Sequence, residues 1–310
     1  MRRATKVLLI LGIVFLVLAC VIYLLLFRMP RESVSWGEIP GVSNFLSRFI
    51  QQDGNGLYDI EDWDLFEKGQ EVLEGTIEKR LLADGSIEKI KMELGGCIIS
   101  IADSKDEFIY LEADKIDKLQ AYTQDNTLYI LSASTDFFSF GVSLDKSANI
   151  TLYLPLDKQF QEIDLNVGAV DAKLNHLSAN AVNVEVGAGA FQVDKIDCSK
   201  LDINIGAGKF SAGTIHCNEL AANVGAGSLE VESADVQGNA DLEVNAGTLQ
   251  ITLLGAKEDY NYEINCALGS ARIGNTKHAS LGKETIQNNS AWTVDVEVNV
   301  GSLTLLFNDK

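Results

Sequence analysis

The stretch that decides the fold is VGAGAFQVDKIDCSKLDINIGAGKF, residues 186–210. Short runs of alternating apolar and polar residues adjoin its two Gly-Ala-Gly triplets, whose first glycines are Gly187 and Gly206. Alternation with a period of two is typical of a β-strand that has one buried face. The stretch therefore predicts strands joined at glycine corners, in a unit that repeats every 19 residues.

The same corner recurs along most of the chain. The first glycine of the unit is found at Gly168, Gly187, Gly206 and Gly225, and the second at Gly189, Gly208, Gly227, Gly247, Gly269 and Gly301. The spacing is 19 residues in the middle and then lengthens to 20, 22 and 32. The later units are therefore expected to carry loop insertions.

The residues that flank the corners keep the same period. One apolar column contains Ala172, Phe191, Phe210, Leu229 and Leu249, and a polar one contains Asn166, Glu185, Asn204 and Asn223. A unit this small cannot bury its apolar face alone, so successive copies must stack at about 4.8 Å. The pattern predicts an all-β fold over residues 86–310. We expect a parallel β-solenoid (β-helix) of about 19–20-residue coils, with the polar column facing outward.

The corner glycines are interpreted as structural. We expect them to adopt positive φ and to let neighbouring coils approach closely. A phosphate-binding loop would need a following helix and a Lys before Ser or Thr, whereas Lys209 precedes Phe210 and no helix is expected. No cofactor is predicted.

Both ends of the solenoid are less regular. Leu94-Gly95-Gly96 is a degenerate corner, and the sequences IYLEA, TLYILS and NITLYLP are predicted to be strands of the starting coils. The final segment, AWTVDVEVNVGSLTLLF, alternates strongly. We expect Trp292 and Phe307 to cover the last coil, because a solenoid needs capped ends.

The first residues predict a membrane anchor. Val7–Phe27 carries no charge and is long enough to span a bilayer core of about 30 Å. Arg2, Arg3 and Lys6 precede it, which places residues 1–6 in the cytoplasm and the remainder outside, as a single-pass protein of the cell membrane. Two alternatives are a cleaved signal peptide and a lipobox with Cys20 as the acylated residue.

Residues 28–85 are expected to form a juxtamembrane segment with little β character. Within this segment, apolar residues recur at helical spacing in the sequence VSNFLSRFI, which predicts a short amphipathic helix. The acidic stretch at residues 53–64 resembles a calcium loop but has Leu57 and Tyr58 where a ligand and a glycine are required. A solvated linker is the favoured interpretation.

Charge excludes one class of partner. Residues 31–310 carry 21 Lys and Arg against 44 Asp and Glu, a net charge of −23. Such a domain does not bind nucleic acid by counterion release. The charge is consistent with a soluble domain outside the membrane.

The sequence offers few catalytic candidates. The three histidines occupy unrelated repeat positions, so no cluster is expected. Asp164 and Asp202 should lie two coils apart, about 9–10 Å, a separation that suits inverting glycosidases. Cys198 and Cys217 should stack on neighbouring coils. We expect two apolar side chains there rather than a disulfide, because parallel Cβ vectors give a poor torsion angle for the bond.

The repeat resembles a family of bacterial β-strand-repeat proteins of unknown function described as candidate adhesins. The resemblance rests on NITLYLP, EIDLNVGAV and the NVGAG and INIGAG units, and covers roughly residues 86–308. It implies a surface location, and some members are single-pass proteins associated with cell-envelope stress. We therefore expect a non-catalytic, membrane-anchored module that binds a protein or an envelope polymer. The alternative is a β-helix carbohydrate-active enzyme.

Overall fold

The computed structural model describes residues 66–133, 148–168, 171–279 and 282–308. The predicted membrane helix, the amphipathic helix and the acidic stretch lie outside these residues, as does Cys20. Within the described ranges, no helix is both long enough and apolar enough to cross a bilayer.

The described residues are almost entirely β-strand, with one 3-10 turn at Lys257–Asp259. The strands are β1 (Leu73–Ala83), β2 (Lys89–Leu94), β3 (Ile98–Ser104), β4 (Ile109–Gln124), β5 (Thr127–Ala133), β6 (Asn149–Pro155), β7 (Phe160–Val167), β8 (Asp171–Val186), β9 (Ala190–Ile205), β10 (Lys209–Cys217), β11 (Glu219–Val224), β12 (Ser228–Val236), β13 (Ala240–Val244), β14 (Thr248–Leu254), β15 (Asn261–Cys266), β16 (Ser270–Ile273), β17 (Thr276–Ala279), β18 (Gly282–Ile286), β19 (Thr293–Val298) and β20 (Ser302–Asn308).

The central strands form the predicted parallel solenoid. Val182 of β8 pairs with Leu201 of β9, and Phe191 of β9 pairs with Phe210 of β10, in both cases one 19-residue unit further along the chain. The strands before the corners (β5, β2, β7, the second halves of β8 and β9, β11, β13, β19 and β15) make one sheet, called here the pre-corner sheet. The strands after the corners make the post-corner sheet.

The apolar columns form one continuous core between the two sheets. Phe191 and Phe210 are stacked with ring centroids 5.4 Å apart and planes 9° from parallel. Leu201 and Ile203 are completely buried, as is Val186 at the entrance to a corner. Each buried side chain therefore packs on its equivalent in the next coil, which explains why the columns keep one period.

At the N-terminal end, the order of coils in space differs from their order in the chain. The coil of β2 and β3 lies between the coil of β5 and β6 and that of β7 and β8. Strand β4, which contains IYLEA, runs antiparallel to β5 and β6 and is covered in turn by β1. IYLEA is thus part of a cap, and β1 lies in a segment for which little β character was expected.

The C-terminal end shows the same kind of exchange. Strands β19 and β20 lie between the coil of β13 and β14 and the coil of β15 and β16, so Gly301 follows Gly247 in space and Gly269 comes last. The outermost strands are β17 and β18, which run antiparallel to β16 and β15. The prediction that Trp292 and Phe307 cover the last coil is therefore wrong.

The physical reason lies in the composition of these strands. Val294, Val296 and Val298 of β19 are completely buried, and this apolar strand has a coil on each side. Strand β18 has exposed Lys283, Glu284 and Thr285, and charged side chains on an edge strand discourage pairing with another chain. The more polar strands are therefore the better end caps.

Candidate interaction surface

The Gly-Ala-Gly corners join one coil to the next through their backbone. The amide of Ala207 donates a hydrogen bond to the carbonyl of Gly187 (2.7 Å), and the amide of Lys209 donates to Gly189 (2.8 Å). The amide of Gly206 donates to Val186 (2.8 Å). Because these N–H groups already have acceptors, they cannot cradle a phosphate, which agrees with the structural interpretation of the corners.

The reason that glycine is needed differs from the expected one. Among the described residues, the glycines with positive φ are Gly69, Gly75, Gly255 and Gly274, and none is a predicted corner. A Cβ added to Gly208 would instead lie 2.5 Å from the carbonyl oxygen of Gly189. An added Cβ would also lie 3.0 Å or less from an atom of the neighbouring coil at Gly168, Gly206, Gly225, Gly227, Gly247, Gly269 and Gly301. Close approach of the coils therefore requires glycine, and the prediction of positive φ was wrong.

The middle residue of each corner faces solvent. These residues are Ala188, Ala207, Ala226, Ala246, Val300 and Leu268, in spatial order, and together they are called here the corner ridge. Val300 is 60% exposed and Leu268 is 75% exposed. At about 4.8 Å per coil, the corner ridge is about 24 Å long. An apolar strip therefore runs along one edge of the solenoid.

The corners of four neighbouring coils also line an open groove of about 620 Å³. It is lined by Gly208, Gly227 and Gly247, by the alanines of the corner ridge, and by Lys209 and Ser228. The glycines cannot carry a side chain there because an added Cβ would clash with the adjacent coil. The groove therefore follows equivalent residues of successive coils along the solenoid axis.

The predicted polar column lies on the pre-corner sheet. Asn166, Glu185, Asn204 and Asn223 occupy one register on successive coils, as expected. The amide of Asn223 donates to Glu243 on the next coil (3.2 Å). Asn166 departs from the pattern because it is only 2% exposed and its side-chain amide has no hydrogen-bond partner among the residues that the structure describes. The column therefore runs along the coils as predicted, but it is not exposed throughout.

Carboxylates accumulate at the C-terminal end of the same sheet. Asp241, Asp295 and Glu263 share one register on three neighbouring coils. Burial raises the pKa of Asp295, and the charges of Asp241 and Glu263 raise it further. Lys283 lies 3.3 Å from Glu263. This end of the sheet is thus distinctly acidic.

The candidate catalytic pair is placed as predicted. Asp164 and Asp202 occupy one register, with Asn183 on the coil between them. Asp202 accepts a hydrogen bond from Asn204 (2.8 Å). The histidines His176 and His216 belong to the post-corner sheet, so they do not join this pair.

Those two histidines form a cluster that the sequence interpretation missed. His176 Nε2 lies 2.6 Å from one carboxylate oxygen of Asp197, and His216 Nδ1 lies 2.9 Å from the other. Lys195 is 2.7 Å from the same carboxylate. Asp197 and His216 are one repeat apart, whereas His176 is offset by two further residues and reaches Asp197 diagonally. A search for polar residues separated by 19 or 21 positions in the sequence would have found the cluster.

The cluster connects three coils. Burial acts to raise the pKa of Asp197, but hydrogen bonds from Lys195, His216 and His176 outweigh it and lower the pKa to about 2. The carboxylate is therefore ionised and surrounded by donors. In the part of the chain that the structure describes, no group of three His, Cys, Asp or Glu side chains is arranged to hold a metal ion.

The described cysteines are free thiols. Cys217 is buried and Cys198 is half-buried. Burial raises the pKa of each to about 12, which keeps them protonated and unreactive at neutral pH. Cys217 lies in the core as predicted, whereas Cys198 is half-buried and packs against the core.

The stacked coils, in-register corners and antiparallel caps define a β-solenoid repeat domain. The sequence model of the Toastrack DUF4097 family matches residues 87–306, well over half of the chain. The chain belongs to this family. The expected membership of a candidate-adhesin type of β-strand-repeat family is thereby confirmed.

Solved structures show a related but distant likeness. A candidate adhesin of Parabacteroides merdae is 17% identical, with a TM-score of 0.40, and the match covers 77% of this chain and 97% of that one. A candidate adhesin of Parabacteroides distasonis is 14% identical (TM-score 0.39; 77% and 98% covered). A candidate lipid-binding protein of the same species is 13% identical (TM-score 0.31; 74% and 96% covered). No curated protein matches the chain.

Proposed function

We propose that this chain is a membrane-anchored, extracytoplasmic module without catalytic activity, which binds another protein or an envelope polymer. It acts as an adhesin-like element or as an accessory to envelope-stress signalling. The apolar run Val7–Phe27, the preceding cations and the acidity of residues 31–310 support this topology.

The observation that carries the proposal is the corner ridge with its groove. Sites for small molecules are concave and combine apolar walls with a few convergent polar groups. The groove is instead open, and equivalent residues of successive coils line it. A surface of this shape suits an extended chain that lies along the solenoid axis. Val300 and Leu268 supply the larger apolar contacts at one end.

A matched pair of substitutions tests this proposal. Ala226→Tyr places a large side chain in the groove from an exposed position, and Gln192→Tyr places the same side chain at an exposed position of the post-corner sheet. The full-length chain, in neutral detergent, is sedimented with isolated cell envelope. Ala226→Tyr should reduce the bound fraction several-fold while Gln192→Tyr binds like the wild type. Equal binding by both variants and the wild type would remove the groove from the binding surface.

The second candidate, a carbohydrate-active enzyme, is favoured only by the common register of Asp164 and Asp202. Its test is the release of reducing ends from purified envelope glycans. Release by the wild type that is lost in Asp164→Asn and in Asp202→Asn would establish the enzyme and contradict the non-catalytic proposal.

A further inference from the structure

Two tyrosines lie side by side on the outer surface of the N-terminal cap. Tyr110 of β4 and Tyr153 of β6 are directly opposite in the antiparallel pairing. The hydroxyl of Tyr110 donates to Asp106 Oδ2 (2.8 Å), and that of Tyr153 donates to Glu112 Oε2 (2.9 Å). Each hydroxyl is tied to a carboxylate, so the orientation of both rings is set.

A lysine ammonium lies over both rings. Lys79 Nζ is 3.8 Å from the ring centroid of Tyr153 and 4.8 Å from that of Tyr110. Both distances are within the range of about 6 Å in which the negative face of an aromatic ring attracts a cation. One ammonium group is therefore shared by two aromatic faces.

A strand irregularity places Lys79 there. Ile77 of β1 pairs with Ala113, and Arg80 pairs with Leu111, so Glu78 and Lys79 together face the single residue between those partners. Two residues opposite one constitute a β-bulge, which redirects side chains locally. The position of the ammonium thus depends on a specific departure from regular pairing.

The surroundings are arranged for a positive charge. Asp106 also accepts hydrogen bonds from the hydroxyl of Ser104 (2.9 Å) and the amide of Phe108 (3.1 Å), so its carboxylate is held in place. The hydrogen bond from Tyr110 is the largest of the effects that lower the pKa of Asp106, and the charge of Lys79 adds to them. Two ring faces therefore share one ammonium, the charge of Asp106 acts on it favourably, and Glu112 fixes the ring of Tyr153 through its hydroxyl.

The strand that carries Lys79 is the least regular in the described structure. Its pairing with β4 shifts register in four places, and most of its side chains are half-buried or exposed. Among the described strands, it pairs with β4 alone. A side chain on such a strand can leave its position without disturbing the stacked coils.

We propose that Tyr110, Tyr153, Asp106 and Glu112 form a recognition site for a primary ammonium group, which Lys79 occupies until a ligand displaces it. The ligand class follows from the occupant, which is itself a primary ammonium on an alkyl stem. A phospholipid head group and an aminoacyl ester on a polymer both carry this group. This site lies on a different surface from the corner ridge. The proposal therefore does not depend on whether the corner ridge binds a partner.

The chain contains a matched control. Tyr122 and Tyr129 are also opposite each other, on β4 and β5, but their rings are stacked with centroids 5.0 Å apart and planes 9° from parallel. Each ring of this pair covers a face of the other. Tyr122→Leu therefore removes an aromatic ring of the same cap without touching the proposed site.

The test is a titration of the full-length chain with n-butylammonium in neutral detergent free of amines. Ring resonances of selectively labelled tyrosines are followed by NMR in the wild type and in Lys79→Met, which keeps the alkyl stem. Lys79→Met should give a saturable shift confined to Tyr110 and Tyr153. Its apparent affinity should exceed that of the wild type by a factor of one plus the ratio of the effective concentration of the tethered Lys79 ammonium to the dissociation constant of n-butylammonium.

Two double variants locate the binding. In the Lys79→Met background, Tyr153→Leu should abolish the saturable shift and Tyr122→Leu should preserve it. Lys79→Gln repeats the titration if Lys79→Met unfolds at a lower temperature. The proposal is overturned if n-butanol, the uncharged analogue of n-butylammonium, gives the same shift, if neither ring responds, or if Lys79→Met and the wild type bind equally.

Two further ligands distinguish the source of the ammonium. Competition by glycerophosphoethanolamine supports a phospholipid head group, and competition by alanine methyl ester alone supports an aminoacyl ester on a polymer. Failure of both to compete with n-butylammonium would also overturn the proposal.

Discussion

Substitution of a corner glycine tests whether glycine is needed for close approach of the coils or for a positive φ. In Gly208→Ala, the new Cβ would lie 2.5 Å from the carbonyl oxygen of Gly189 and 2.9 Å from Cγ1 of Val186. Ordinary contacts begin at about 3.4 Å, so the coils must separate locally or a core side chain must move. Overpacking of this kind costs about 1–3 kcal/mol. Gly208→Val, with two more methyl groups, should cost more.

The expected loss is measurable by thermal unfolding. For a domain of this size, 1 kcal/mol shifts the Tm by about 2–4 °C, so Gly208→Ala should lower it by about 2–12 °C. The assay follows the β-sheet signal in the far-ultraviolet circular dichroism of the full-length chain as the temperature rises. Gly227→Val should be at least as damaging as Gly208→Val, because its Cβ would come closer still to the carbonyl of Gly208.

Two other glycines provide the controls. Gly75 has a φ of +78° and no atom within 4 Å of an added Cβ, so Gly75→Asn should be tolerated better than Gly75→Ala. At Gly208 the order should reverse, because Asn is larger and φ is not positive. Gly282 has neither constraint, and Gly282→Ala should be neutral or stabilising. A Gly208→Ala variant as stable as Gly282→Ala would refute the close-approach argument.

Four further predictions concern the anchor, calcium, the carboxylate cluster and the thiols. Protease added to intact, wall-stripped cells should digest the solenoid, and recovery of the domain only after lysis would contradict the proposed topology. Calorimetry should show no stoichiometric micromolar calcium binding, whereas such an event lost in Asp53→Ala would reveal a site in the acidic stretch. Because the folded-state pKa of Asp197 is about 2 and its ordinary value is 3.8, its stabilisation is complete above the ordinary value and is lost as the pH falls through 2. Asp197→Asn should therefore unfold more easily than the wild type by about 1 kcal/mol at pH 7, after allowance for partial exposure, and this difference should shrink to a small fraction of that value as the pH falls through the folded-state pKa; a constant difference would count against the charge. Cys198 and Cys217 should react with a thiol reagent at pH 8 only after unfolding, and rapid reaction of the native chain would contradict their burial.

The repeat could be predicted because the spacing of its glycines and the alternation of its residues are visible in the sequence. Phe191 and Phe210 stand one period apart, and equivalent positions in a stacked solenoid must meet. The same reasoning placed Asp164, Asn183 and Asp202 in one register. The contact of His176 with Asp197 shows the limit, because it is diagonal and does not join equivalent repeat positions, although Asp197 and His216 do stand one repeat apart.

The order of the end coils could not be predicted from the period. The apolar strand β19 lies between two coils whereas the polar strand β18 lies at the end, and this choice involves strands far apart in the chain. The position of Lys79 over Tyr110 likewise depends on a bulge between two strands that are distant in sequence.

The sequence by itself determined the all-β class, the 19-residue coil, the apolar columns and the positions of the corner glycines. These follow from alternation and periodicity, which are local properties of the chain. Only the tertiary structure decided which coils lie at the ends, why the corners require glycine, and which polar side chains meet. Those outcomes depend on distances between neighbouring coils and on competition among distant strands for the buried positions, and neither is encoded in any single repeat.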